Sequence, residues 1–385
     1  MNFSEYKMQN KLSVDVSSAV TSDKSLSCGG KSTKKPNFIK KEYLSPFHYS
    51  SPSTKNFDKD LNLLFEDDTN KFLGTFRTEE YSLTRKYLQG KKIGVRLYYT
   101  KMEPHSEPNC QIIIVHGLSE HSGQFLNLGQ FFAKNKVLVH LMDFGGAGYS
   151  GRKNGGINFE DMQEDLGLLL TQTREDVPLF VLGHSTGTLL ALNLAINNPK
   201  LRISGIISSS VSLHPQPYSS KAKSLVSKCL LSILSFFDED VTMLSRLNPT
   251  AQSKNNYTCI KMMRGFFKSY KITVATYRAL ESLSNFVREY IFRVNVPMLF
   301  VHGNLDSISN PNNSINLYQN CFTEDKTIRV FPNGYHMLFH DQESKEAKFY
   351  VLKWLMKRSV FARPFGRNSI LFRQTSRKVK NQMFT

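Results

Sequence analysis

The residues whose types and spacing are best suited to chemistry lie in Gly183-His184-Ser185-Thr186-Gly187. An apolar run from Leu179 to Leu182 precedes them and reads as a buried strand. A helical run follows, with Ala191 and Ala195 one turn apart and Pro199 ending it. A serine on such a strand-to-helix turn has its hydroxyl pushed out at the top of a sheet, where it can attack an acyl carbon. Gly183 and Gly187 are expected because the turn is strained and a Cβ two positions either side would meet strand or helix backbone. The N–H of Thr186, free at a helix N-terminus, can stabilise a developing oxyanion. Five-residue patterns of this kind also arise by chance. A working nucleophile therefore needs a base and an acid from elsewhere in the chain.

Two strand ends supply them. Pro297 to His302 is apolar and exits into Gly303-Asn304-Leu305-Asp306, and Thr327 to Phe331 runs into Pro332-Asn333-Gly334-Tyr335-His336. An aspartate at the carboxyl end of a strand can accept the imidazole N–H of a histidine and fix its tautomer. A third strand, Gln111 to Val115, leads into His116-Gly117-Leu118-Ser119-Glu120-His121-Ser122-Gly123. Loops leaving the carboxyl ends of parallel strands lie on the ligand side of the sheet. Gly117 lets the backbone approach closely, which places the Leu118 N–H as a second oxyanion donor beside that of Thr186. His116 and His121 lack metal-ligand spacing and read as structural. The expected site is Ser185, Asp306 and His336 with the amides of Leu118 and Thr186.

These groups need a scaffold. Tyr81 to Tyr87, a Gln89-Gly90 turn and Ile93 to Thr100 alternate as a β-hairpin. A helix over Gln124 to Asn135 leads to a strand, Val137 to Met142, and another strand spans Ile203 to Ser209. Strands alternating with helices give an α/β class with a mostly parallel central sheet flanked by helices. Gly146, Gly148 and Gly151 match the spacing of a dinucleotide-binding fingerprint. Yet Arg152 to Gly156 follow where a helix should open, so the match is set aside. The next helix begins with Asn158 as N-cap, with Phe159, Met162, Leu166 and Leu169 on one face.

Residues of about 213 to 292 interrupt the alternation with helical, aromatic-rich sequence and are expected to form a cap, or lid. Within it, Lys221 to Phe237 predicts a helix with a narrow polar stripe, suited either to a lipid surface or to complete burial. Residues 1–72, rich in Ser, Lys, Asn and Asp, are expected to be a disordered extension. Residues 73–358 then form the folded domain, whose last helix covers Lys348 to Arg358. Residues 359–385 form a basic tail interleaved with aromatics, which fits an anionic membrane surface or no partner at all.

The chain has 385 residues, 40% of them hydrophobic, enough for one large domain. Its net charge of +18 attracts anionic surfaces without naming one, and no nucleic-acid-binding motif accompanies it. Five widely spaced cysteines form no Cys-x-x-Cys pair, so neither a zinc site nor a disulfide framework is expected. The amino terminus lacks an apolar signal region, and no apolar run reaches the roughly 18 residues needed to cross a bilayer. A reducing, cytoplasmic setting is expected, with or without peripheral membrane contact.

Together, His116 to Gly123, Asp143 through Gly146-Ala147-Gly148-Tyr149-Ser150, Gly183 to Gly187, Gly303 to Asp306 and Tyr335-His336-Met337-Leu338 resemble the monoacylglycerol lipase and lysophospholipase branch of the serine α/β-hydrolases. The resemblance covers roughly residues 78 to 357, and His-Gly-x-x-Glu-His-Ser-Gly is its most specific block. The chain order Ser, Asp, His is the one expected of that fold. The resemblance implies Ser185 as nucleophile, Asp306 and His336 as relay partners, and Leu118 and Thr186 as oxyanion amides. It also implies a monoacylglycerol or other lysolipid ester as substrate, with no metal or organic cofactor. Three positions depart from the pattern: Ala147, where His or Phe is usual; Thr188, in place of a second glycine; and Tyr257-Thr258-Cys259, without an aspartate after the tyrosine. Two other outcomes fit the same residues. One is an acyltransferase or lysophospholipase on the same triad; the other is a catalytically silent membrane-binding protein of this fold.

Overall fold

The structure, a computed structural model, describes residues 73–92, 94–151, 159–213, 242–244, 253–254 and 271–360. By backbone contacts the chain divides into residues 1–65 and residues 66–385, and the described residues all belong to the second unit. The extension expected over 1–72, the helix expected over 221–237 and the tail expected over 359–385, apart from Ser359 and Val360, lie outside them.

Nine strands form one sheet. In chain order these are β1 (Gly74–Arg77), β2 (Tyr81–Gln89), β3 (Arg96–Pro104), β4 (Cys110–Val115), β5 (Val137–Met142), β6 (Leu179–His184), β7 (Gly205–Ser209), β10 (Met298–Gly303) and β11 (Lys326–Phe331). Their spatial order is β1-β2-β3-β5-β4-β6-β7-β10-β11. The pairings from β1 through β3 to β5 are antiparallel, and those from β5 onward are parallel. The expected hairpin is β2 and β3. Strand β1, fully exposed along Gly-Thr-Phe-Arg, has no alternation to reveal it. Two further strands, β8 (Thr242–Leu244) and β9 (Lys271–Thr273), pair antiparallel within the insertion, a stretch whose pattern reads as helical.

Helices cover both faces, and the strands answer residue by residue. Ile113, Val181 and Phe300 pack with α2 (Phe159–Leu170), α3 (Thr186–Asn197), α4 (Val274–Tyr290) and α5 (Asn312–Asn320). Their neighbours Ile112, Phe180 and Leu299 pack on the other face with α1 (Leu126–Lys134) and α6 (Ser344–Ser359). Both faces of β4, β6 and β10 are therefore buried, which is why these strands read as unbroken apolar runs. From the insertion, Val287 of α4 and the following Ile291 join the core beside α3. Among the described residues, no helix is long and apolar enough to cross a membrane. Cys110 and Cys321 are buried free thiols.

Backbones pack closely where α3 leaves β6 against β4. A Cβ on Gly187 would stand 2.3 Å from the carbonyl oxygen of Val115, and one on Gly183 would stand 2.4 Å from Cα of Thr188. Neither backbone can withdraw without breaking the ladder or the helix.

Two stability outcomes are expected in denaturant unfolding. Ile113→Ala, at a fully buried position, should cost about 2–5 kcal/mol. Phe322→Ser, at a position 73% exposed, should stay within about 0.5 kcal/mol of the unmodified chain. Gly187→Ala should lower the thermal midpoint more than Ile113→Ala does, because its clash is with backbone.

Candidate active site

Strand β6 ends at His184, and Ser185 turns the chain into α3 with φ 53° and ψ −120°. A β-carbon residue at positive φ is strained, and such strain persists only where the surroundings impose it. Here the Ser185 N–H donates to the carbonyl of Ser209 at 2.9 Å, and its own carbonyl accepts the Thr188 N–H at 3.1 Å. The Thr188 hydroxyl ties the turn further by donating to the Gly183 carbonyl at 2.7 Å. Threonine in place of a second glycine thus braces the elbow.

Asp306 follows β10 and is buried. Its Oδ1 accepts the N–H groups of Ile308 and Ser309, both at 2.9 Å. Its Oδ2 accepts His336 Nδ1–H at 2.7 Å. His336, on the loop after β11, is 4% exposed. Hydrogen bonding thus joins Asp306 to His336 directly, and the ring of His184, the residue before Ser185, lies 4.9 Å from that of His336. The Ser185 hydroxyl makes no hydrogen bond to His336 in this resting geometry. Such bonds commonly tighten only when substrate binds.

Gly117 passes close under the elbow. A Cβ there would sit 3.0 Å from Ser185 Cβ and 3.1 Å from the His184 carbonyl oxygen. Leu118 therefore arrives beside the elbow, and its N–H donates to Thr186 Oγ1 at 2.7 Å. His116 and His121 serve the loops. His116 Nε2 accepts the Phe144 N–H at 3.1 Å, and the ring of His121 covers Gly123. The glycine-rich turn after β5 is organised by a carboxylate rather than by a phosphate. Asp143 accepts the N–H groups of Ser122 at 2.7 Å and Tyr149 at 2.9 Å, and a Cβ on Gly148 would collide with it.

Two further side chains belong to the site, and sequence reasoning missed both. His302, within β10, shares Asp306 Oδ2 with His336: its Nε2 stands 3.1 Å from that oxygen and 2.9 Å from the Ser309 carbonyl. Two acceptors facing Nε2 require its proton there, so Nδ1 accepts the Ser314 hydroxyl at 2.7 Å. The available signal was one polar ring in an otherwise apolar strand, four residues before the aspartate. Ser309 itself is anchored, its hydroxyl donating to the carbonyl of Val211.

The second is Glu120. Its Oε2 accepts the Gly117 N–H at 2.6 Å, and its Oε1 lies 3.2 Å from His184 Nε2. Burial alone would raise its pKa, but His184, His336 and the Gly117 N–H outweigh burial and hold it at about 2. Asp306 follows the same logic: burial opposes its charge, and His336 with His302 holds it well below the usual carboxylate range. Burial would likewise lower the pKa of His336, yet the charge and hydrogen bond of Asp306, with Glu120 behind them, raise it above the ordinary 6.5. The arrangement is a buried imidazole made more basic by two carboxylates, beside a serine on a strained turn. Among the described residues, no group of three or more His, Cys, Asp or Glu is placed to hold a metal.

The chain has relatives. The sequence profile of the Hydrolase_4 family, serine aminopeptidase S33, matches residues 106–343. An uncharacterized abhydrolase domain-containing protein of Dictyostelium discoideum is 26% identical over 257 residues, which cover 66% of this chain and 27% of that protein. The monoacylglycerol lipase of Mycolicibacterium smegmatis is 25% identical over 270 residues, covering 68% of this chain and 94% of that enzyme. Among solved structures, a monoacylglycerol lipase of Paleococcus ferrophilus superposes with a TM-score of 0.62 at 24% identity, covering 68% of this chain and 99% of its own. That likeness shows the fold. With the profile spanning more than half of the sequence, the chain belongs to the Hydrolase_4 family of serine α/β-hydrolases, serine aminopeptidase S33.

Proposed function

We propose that the chain hydrolyses the ester bond of a monoacylglycerol or a similar lysolipid through Ser185, His336 and Asp306. The observation that carries this reading is the Asp306–His336 hydrogen bond beside a serine held at positive φ. The relative from Mycolicibacterium smegmatis, named a monoacylglycerol lipase, supports the substrate class.

Each group has one task. His336 Nε2 takes the Ser185 proton as Oγ forms a bond to the ester carbonyl carbon, and the carbonyl electron pair moves onto its oxygen. The Thr186 amide, at the start of α3, meets the resulting oxyanion; the Leu118 amide, expected as its partner, is held on Thr186 Oγ1. His336 then gives the proton to the departing alcohol oxygen as the carbon–oxygen bond breaks. Water repeats the sequence on the acyl-enzyme, with His336 again as base, and releases the fatty acid. Asp306 holds Nδ1–H throughout, so Nε2 is free to act, and stabilises the imidazolium.

A fluorophosphonate probe should label the unmodified chain and fail to label Ser185→Ala. A hydrolysis screen across monoacylglycerols, lysophospholipids and short aryl esters should give its highest kcat/KM on a monoacylglycerol, with free glycerol and fatty acid as products. Transfer of the acyl chain to an acceptor, or preference for a phosphorylated head group, would assign the triad to another reaction of the same class.

The pH dependence has a definite sign. His336 must be neutral to act as base, and its pKa is raised. Activity should therefore fall as pH drops through a value above 6.5. Glu120→Gln removes a charge that raises this pKa, so the acid limb of kcat/KM should move to lower pH. Asp306→Asn should lower kcat by roughly 10³–10⁴-fold.

A further inference from the structure

The two amides expected to meet the oxyanion are not equivalent. The Thr186 N–H opens α3. The Leu118 N–H already donates to Thr186 Oγ1 at 2.7 Å, so the direction in which it would meet a carbonyl oxygen is occupied by the side chain following the nucleophile. The Thr186 hydroxyl has a proton of its own, and no acceptor among the described residues takes it. The residue is 8% exposed. A buried hydroxyl that only capped Leu118 would leave its own donor unsatisfied, which costs free energy with no return.

We propose that the Thr186 hydroxyl is itself a catalytic donor: it passes the Leu118 contact on to the substrate and hydrogen-bonds the oxyanion alongside the Thr186 N–H. Three features fit it for this. Accepting the Leu118 N–H polarises the O–H bond and strengthens it as a donor. The β-branched side chain is stiff at χ1, and the Leu118 contact fixes its rotamer, so little reorganisation is needed at the moment of reaction. Thr186 also begins a 12-residue helix, whose N-terminal end favours negative charge. A hydroxyl bound to a full oxyanion is a short, charge-assisted bond, stronger than the neutral one it makes to a ground-state carbonyl. It therefore acts mainly in the transition state. The oxyanion forms from the carbonyl π pair, no proton leaves Oγ1, and the Ser185 proton still goes to His336. The chain's use of threonine directly after the nucleophile, unexplained by the elbow itself, gains a chemical role.

The inference rests on Ser185 being the nucleophile, and the test separates the two. Steady-state hydrolysis of an aryl ester and inhibition by a trifluoromethyl ketone, which mimics the oxyanion, are measured on the full chain and on Thr186→Val, Thr186→Ala and Thr186→Ser, with thermal midpoints taken for each. Thr186→Val should lower kcat about 100-fold with KM changed less than about threefold, and weaken the ketone by a similar factor. Thr186→Ser, which keeps the hydroxyl, should recover at least about tenfold over Thr186→Val. Thr186→Ala, which removes the hydroxyl without adding a methyl, should also lose kcat and covers the case in which valine disturbs the helix start. The proposal is overturned if Thr186→Val keeps kcat and ketone affinity within about threefold, or if Thr186→Ala exceeds the unmodified chain, since the hydroxyl would then merely block Leu118. An unmodified chain that fluorophosphonate leaves unlabelled would instead remove the nucleophile assignment itself.

Discussion

Ser185 is held at φ 53° because backbone from β4, β6 and α3 converges on it with only hydrogen atoms between. Strain of this sort costs about 1–3 kcal/mol and survives only where neighbours overdetermine it. Here the neighbours are substantial. Helix α3 is almost wholly buried from Thr186 to Ile196, and β4 and β6 are buried on both faces. The hydrophobic burial that fixes α3 against the sheet also fixes the elbow, and the elbow fixes the Ser185 hydroxyl. The placement of Ser185 is thus a property of the core.

The electrostatics depend on the same burial. In water, a carboxylate several ångströms from an imidazole would matter little; among buried groups, each partner decides the other's charge. His336 is flanked by Asp306 through a direct bond and by Glu120 through space, and both carboxylates stay ionised despite being buried. Asp306 accepts four hydrogen bonds, two of them from histidines. A carboxylate so fully saturated has no freedom to rotate, so the Nδ1–H of His336 meets an acceptor in fixed orientation. By contrast, His140 is equally buried but faces Tyr99 and Gln111 rather than a carboxylate, and burial drives its pKa down to about 3.

Most of this was legible in the sequence, for a topological reason. In a parallel sheet every strand delivers its following loop to one edge, so positions 185, 306 and 336 fall on the same edge once β6, β10 and β11 are recognised, and Asp306 and His336 meet there through a hydrogen bond. Strands β6 and β10 carry apolar runs, which are easy to see, and β11 shows itself by Ile328 and Val330 alternating with Thr327 and Arg329 before Phe331. What escaped was either patternless or dependent on side-chain placement. Strand β1 is solvent-exposed throughout, and β8 and β9 are three residues each. His302 looks like any strand residue until its ring is found against Asp306. Glu120 sits in a recognised motif, but its hold on Gly117 depends on how the loop folds back. The expectation that the amides of Leu118 and Thr186 lie together did not include the Thr186 side chain, which accepts the Leu118 N–H, because spacing describes where backbones go and not which rotamer fills the gap.

Ser309 links two parts of the molecule far apart in sequence. Its N–H and carbonyl belong to the Asp306 and His302 cluster, while its hydroxyl is tethered to Val211, at the mouth of the long insertion. The root of that insertion and the anchoring carboxylate are therefore geared to a single residue. Three hydrogen bonds at this one residue thus join the backbone that enters the insertion to the loop that carries Asp306.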